Sequence, residues 1–300
     1  MNNTRSKMSA MLCENVDMLV TMSAITMTVL SGIALVVNSY LLYCSRYLRR
    51  PIGINLRLCV SLTASDALCA ICYILTYLVN IFFNHFSNCA SLLLEVFKLT
   101  TFTASVFTLL FLALTHYVGI VHPLYRNAIT NRSVKCAITF SYAVPFALYL
   151  GIFSLFPGGL FAPEAFSFLD GEGCKGNQIY RNSAFRFSLV APFIFFVCLL
   201  SALYMHILFH MHQLSRDPLL KNSKSKRNNR KLLTTIMLLA GSACIGWLPT
   251  SVNFVLPIFV QIDPNARLVL GIIAQTLHVS KLIADAFVYA SRLVEIRYSM

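Results

Sequence analysis

Charge is scarce in this 300-residue sequence: Asp, Glu, Lys and Arg together make up 12% of it, and the acids number only 11. Soluble domains carry about 25% charged residues, so this chain has too few to cover itself with a water-facing shell. Tryptophan occurs once, at Trp247. No internal repeat is visible, which argues against architectures built from inverted repeats. The stretches 18–45, 67–94, 99–125, 136–163, 187–215 and 232–262 contain no charged side chain at all. These absences exclude an ordinary soluble domain.

Apolar residues fill the space instead. Hydrophobic residues make up 57% of the chain, and the mean hydropathy is +0.70. Each uncharged stretch exceeds the roughly 20 residues that cross about 30 Å of hydrocarbon at 1.5 Å per residue. A seventh apolar stretch, from about Leu268 to Ala290, is interrupted only by Lys281 and Asp285. A backbone crossing lipid must satisfy its own amides, so the expected fold is an all-α membrane protein, a bundle of seven transmembrane helices. The helices are expected at about 18–45, 54–83, 89–121, 134–156, 183–212, 231–259 and 267–290. Residues 1–17 would form an extracellular N-terminus, and residues 291–300 a cytoplasmic tail with a short amphipathic eighth helix. The first stretch is too long for the apolar region of a signal peptide and reads as a retained helix.

Lys and Arg set the orientation. With the N-terminus outside, sixteen of them fall on the inner side, among them Arg46, Arg49, Arg50, Arg57, Lys224, Lys226 and Arg227. Only six fall outside: Arg5, Lys7, Lys175, Arg181, Arg186 and Arg267. The positive-inside rule then places the N-terminus outside. The formal charge of +13 is thereby a matter of topology and of contact with the lipid bilayer; nucleic acid is not implied. Most cysteines lie within or beside the apolar stretches, where they act as small apolar residues. Only Cys13, Cys89 and Cys174 fall outside, an odd number in an oxidising compartment. Asn2-Asn3-Thr4 is an outer-side glycosylation sequon at Asn2.

Several short motifs recur along the helices. Gly32 precedes Asn38 on the first. Leu62-Thr63-Ala64-Ser65-Asp66 lies on the second, and the third ends in Leu114-Thr115-His116-Tyr117-Val118-Gly119-Ile120-Val121-His122-Pro123-Leu124. Pro192 interrupts the fifth, Gly246-Trp247-Leu248-Pro249 the sixth, and Asp285-Ala286-Phe287-Val288-Tyr289 closes the seventh. In this order the set resembles the rhodopsin-like (class A) G protein-coupled receptors over nearly the whole chain. The Thr115-His116-Tyr117 segment stands where the family has D-R-Y. Asp285-Ala286-Phe287-Val288-Tyr289 is similar to N/D-P-x-x-Y without its proline.

The resemblance implies a receptor in the cell membrane, with no cofactor, metal or catalytic residues. It would bind an extracellular small-molecule or peptide ligand and signal to a heterotrimeric G protein by movement of helix 6. Asn38, Asp66, Lys281, Asp285, Tyr289, His116, Tyr117, Pro192 and Pro249 would form the activation switch. Lys98, Glu95, Trp247, Gln275 and His278 would face the ligand, and Cys89 would pair with Cys174. Lys98 stands where amine receptors carry an aspartate, which points to an anionic or neutral ligand. With Thr115 and His116 at the inner end of helix 3, the family's ionic lock cannot form.

Elementary electrostatics adds a reading of its own. A carboxylate in mid-membrane needs a partner, and Lys281 and Asp285 share a helix face at i,i+4 spacing. In the family this face points at the helix 2 aspartate, so the Lys281 ammonium is expected among Asp66 and Asp285, in the place of a sodium ion. Glu95 is a local partner for Lys98 at i,i+3. His206 and His210 share a face of helix 5 but lack the matched carboxylates or cysteines of a metal centre. A small transporter or channel, and a receptor fold that does not signal, are the competing readings.

Overall fold

A computed structural model describes the backbone of residues 2–47, 53–82, 88–122, 124–125, 129–160, 179–216 and 224–298; the side chains of 2–17, 80–82, 88–90, 214–216, 224–236, 239–240, 264 and 291–298 lie outside that description. Seven long helices account for nearly all of it: α1 (Asn2–Ser45), α2 (Ile54–Phe82), α3 (Asn88–Val121), α4 (Asn131–Leu155), α5 (Ser183–Arg216), α6 (Lys224–Phe259) and α7 (Pro264–Tyr298). There is no strand among the described residues. All seven contain a stretch long and apolar enough to cross a membrane.

The helix starts are written locally. Thr130 caps α4 by accepting a hydrogen bond from the Ser133 amide at 3.2 Å. Asn182 caps α5 through the Ala184 amide at 2.9 Å. Asp263 caps α7 through the amides of Asn265 and Ala266, at 3.1 and 3.3 Å. Each supplies an acceptor to amides that have no partner within their own helix. The chain leaves α4 in a turn in which Leu160 donates back to the Phe153 carbonyl at 2.9 Å. Gly158 takes a φ of 78° there, a conformation open to glycine at little cost.

Helix lengths depart from expectation at several ends. α1 reaches back to Asn2, through the segment expected to be a separate N-terminus. α6 begins at Lys224, ahead of the expected 231, and α7 runs unbroken to Tyr298, so the tail is helical but is not set off as a separate eighth helix. The reason is that hydropathy marks only the part of a helix that sits in lipid. A helix continues beyond the bilayer wherever its backbone can keep pairing with itself.

The helices close into a bundle. α1 packs on α2 and α7, α2 on α3, α3 on α4 and α5, α5 on α6, and α6 on α7, with α3 also reaching α6. The surface is apolar: Val20, Val29, Val36, Phe195, Phe209, Ile245 and Phe287 are exposed, as suits contact with lipid tails. Polar residues turn inward, with Ser31, Asn38, Asp66, Ser105, Lys281 and Asp285 all buried. A polar group facing hydrocarbon has no partner, whereas one inside the bundle can bond to another helix. α4 is tied in this way. Tyr149 and Thr103 share a hydrogen bond at 2.9 Å, and the Tyr142 hydroxyl donates to the Ser61 carbonyl at 2.9 Å.

Candidate functional site

Three polar clusters lie at different depths. Nearest the N-terminal end of α3, Lys98 and Glu95 form an ion pair and hydrogen bond, with side chains 15% and 24% exposed. The Lys98 ammonium also lies 5.2 Å from the centre of the Tyr73 ring on α2, within cation–π range. Tyr77 of α2 donates to the Gln275 side chain of α7. Below them His278 meets Phe102 at 4.4 Å and Tyr73 at 5.4 Å between ring centres, with its Nε2 4.0 Å from the Cys69 sulfur. Trp247 is completely enclosed, edge-on to Phe102 at 4.8 Å. Its indole Nε1 has no hydrogen-bond partner among the described residues. The five expected ligand-facing residues thus occupy one region spanning α3, α6 and α7, and the aromatic rings Tyr73 and Phe102 link them.

The second cluster lies at the centre. Lys281 of α7 is 2.8 Å from Asp285 Oδ2, 3.4 Å from Asp66 Oδ1 on α2 and 2.9 Å from Ser105 Oγ on α3. Ser105 in turn donates to Asp66 Oδ1 at 3.0 Å. Its hydroxyl oxygen accepts from the ammonium while its proton serves the carboxylate. Ser242 of α6 donates to Asp285 Oδ1 at 2.6 Å. The ammonium also sits 5.2 Å from the centre of the Trp247 ring. Lys281 is 3% exposed, and both aspartates are completely buried. One ammonium thereby joins four helices, directly or through one intermediate. Its close contact with Asp285 is electrostatic and off the line of a good hydrogen bond, and Asp66 Oδ2 has no hydrogen-bond partner among the described residues.

Asn38 and Tyr289 border this centre. The Asn38 amide donates to the Ala34 carbonyl at 2.9 Å and to the Leu282 carbonyl of α7 at 3.1 Å, tying α1 to the turn after Lys281. Tyr289 is buried, and its hydroxyl has no hydrogen-bond partner among the described residues. Pro192 and Pro249 lie inside α5 and α6, where a missing amide and a ring clash kink the helix. Pro145 and Pro257 likewise lie inside α4 and α6.

The third cluster is at the C-terminal end of α3. Asn55, in the first turn of α2, accepts from the Thr115 hydroxyl at 3.1 Å through Oδ1. Its Nδ2 lies 3.3 Å from His116 Nε2. With the amide as donor, Nε2 is the bare nitrogen of the ring. Tyr117 turns toward α5, its ring 5.4 Å from that of His206. Among the described residues no group of three or more His, Cys, Asp or Glu is gathered as a metal site. The expected Cys89–Cys174 bridge and the Asn2 sequon fall on side chains outside the described residues.

Sequence reasoning missed Ser105, Ser242 and Asn55. Serines are common in membrane helices, and neither motif nor spacing marks these two out. Asn55 had only its place beside Arg57 at a helix start.

An apolar seven-helix bundle with a polar interior is the architecture of a transmembrane receptor or carrier, and comparison decides between them. The description of the 7 transmembrane receptor (rhodopsin family) matches residues 33–289. The chain belongs to that family and is a multi-pass protein of the cell membrane. Comparison with curated proteins gave no match.

Proposed function

We propose that the chain is a receptor whose N-terminus lies outside. It binds an extracellular small-molecule or peptide ligand near Glu95, Lys98, Gln275 and His278, and signals to a heterotrimeric G protein by outward movement of α6. The observation that carries this reading is the unbroken run of contacts from the outer ion pair to α6. It passes from Lys98 to Tyr73, to His278 and Phe102, to Trp247, to Lys281 and Asp285, and so to Ser242. A ligand that favours one arrangement of these groups shifts the population of bundle states by its difference in affinity for them. No chemistry is performed. Since Lys98 already has Glu95 as its partner, a ligand acting there must either replace that carboxylate or leave the pair intact.

In this reading Lys281 supplies the cation that balances Asp66 and Asp285, so no sodium ion is needed. Ligand binding and thermal stability are then flat across sodium concentrations; a marked allosteric sodium effect would overturn the assignment. A second reading, a receptor fold that no longer signals, is favoured by one observation. Asn55 holds Thr115 and His116 in a hydrogen-bonded clasp where the family's arginine would stand. Screening ligands against a panel of G protein dissociation reporters, with His116→Arg in parallel, separates the two. Ligand-dependent dissociation by the native chain supports the receptor reading. Silence of the native chain under every transducer, with constitutive signalling by His116→Arg, supports the other. Substrate flux in place of either would defeat both.

A further inference from the structure

The central cluster depends on a residue with no side chain. Gly246 precedes Trp247 on α6 and is buried. A Cβ placed on it would lie 2.8 Å from Lys281 Cβ, 3.0 Å from Cγ and 3.6 Å from Cδ. The first distance is shorter than side chains tolerate, and the atom it meets is the root of the lysine, next to the α7 backbone. Overpacked contacts of this kind are relieved only by shifting a helix.

The register of α6 against α7 gives this contact a second rung. Ser242 lies one turn before Gly246, and Asp285 one turn after Lys281. The two helices run antiparallel, so Gly246 faces Lys281 while Ser242 faces Asp285, to which it donates at 2.6 Å. Trp247 closes the arrangement with its ring 5.2 Å from the ammonium.

We infer that Gly246 is a positioning residue for Lys281: the missing side chain is a slot on α6 that admits the lysine stem and delivers its ammonium to Asp66, Ser105 and Asp285. Gly246 and Ser242 form a rail on α6 that fixes the register of the Lys281–Asp285 face. A swing of α6 away from α7 at this level withdraws the Ser242 donor and uncovers the lysine stem together. The slot is a matter of packing and holds whether or not the protein couples to a G protein.

The test uses the purified full-length protein in detergent, with two readouts that need neither ligand nor transducer. Amine-reactive labelling followed by peptide mass spectrometry reports where the lysines are. In the native chain Lys98, at 15% side-chain exposure, is labelled and Lys281, at 1%, is protected. Gly246→Ala is expected to lower Tm by about 5 °C and to expose Lys281 to the label. A second background removes the stem: Lys281→Gly with Asp66→Asn and Asp285→Asn, which leaves no unpaired carboxylate in the centre. There Gly246→Ala should cost less than about 1 °C, because the atoms it met are gone. If Gly246→Ala alone yields no folded protein, a folded Gly246→Ala protein in this charge-free background supports the slot, and failure to fold there while the background itself folds overturns it. Equal losses in both backgrounds, or Gly246→Ala with native Tm and a protected Lys281, would overturn it.

Discussion

The centre of the bundle and the C-terminal end of α3 solve the same problem with opposite chemistry. At the centre, Asp66, Ser105, Lys281, Asp285 and Ser242 join four helices by charge, with the ammonium and both carboxylates buried. At the C-terminal end of α3, Asn55, Thr115 and His116 join two helices through side-chain hydrogen bonds without a carboxylate or an ammonium, and Asn55 is exposed. The difference follows from water. Deep in the bundle an ion cannot exchange its partner for solvent, so each charge there must be matched by fixed groups. At the membrane edge water can replace any bond that breaks, and a hydrogen-bonded clasp opens at small cost. The centre is thus held by matched charges, the C-terminal end of α3 by bonds that water can replace.

The comparison can be broken at its strongest point first. Lys281→Met leaves both carboxylates buried without their cation, a loss of about 3–5 kcal/mol. Tm should fall on the order of 10 °C, and adding Asp285→Asn should restore part of it. A Lys281→Met protein as stable as the native chain would show that the ion cluster holds nothing together. Next in size, Ser105→Ala removes a hydroxyl that serves the ammonium and a carboxylate at once. A cost of about 1.5–3 kcal/mol is expected, read as Tm, with the change unaltered by sodium. The smallest effect sharpens the other side. Asn55→Ala should cost no more than about 1 kcal/mol while raising ligand-independent G protein activation, measured with dissociation reporters. No rise in basal signalling, alongside the same small stability change, would mean that the clasp does not restrain α3.

Much of this was legible along the chain. The apolar stretches set the number of crossings, because spanning lipid with a self-paired backbone is a local requirement on length and hydropathy. Lys281 and Asp285 fall on one helix face by their spacing alone, and so does the Glu95–Lys98 pair. The helix ends were less legible, since α6 and α7 run past the hydrophobic stretches that mark them.

What the sequence determined by itself, then, is the bundle, its family resemblance and the identity of the charges that had to be buried. Only the tertiary structure decided their partners. Asp66 and Lys281 stand 215 positions apart, and helical periodicity carries no information across that distance. Ser105 and Ser242 gained a role because packing aimed them at the cluster. Gly246 gained one because α6 and α7 come close enough there that even a methyl group would not fit.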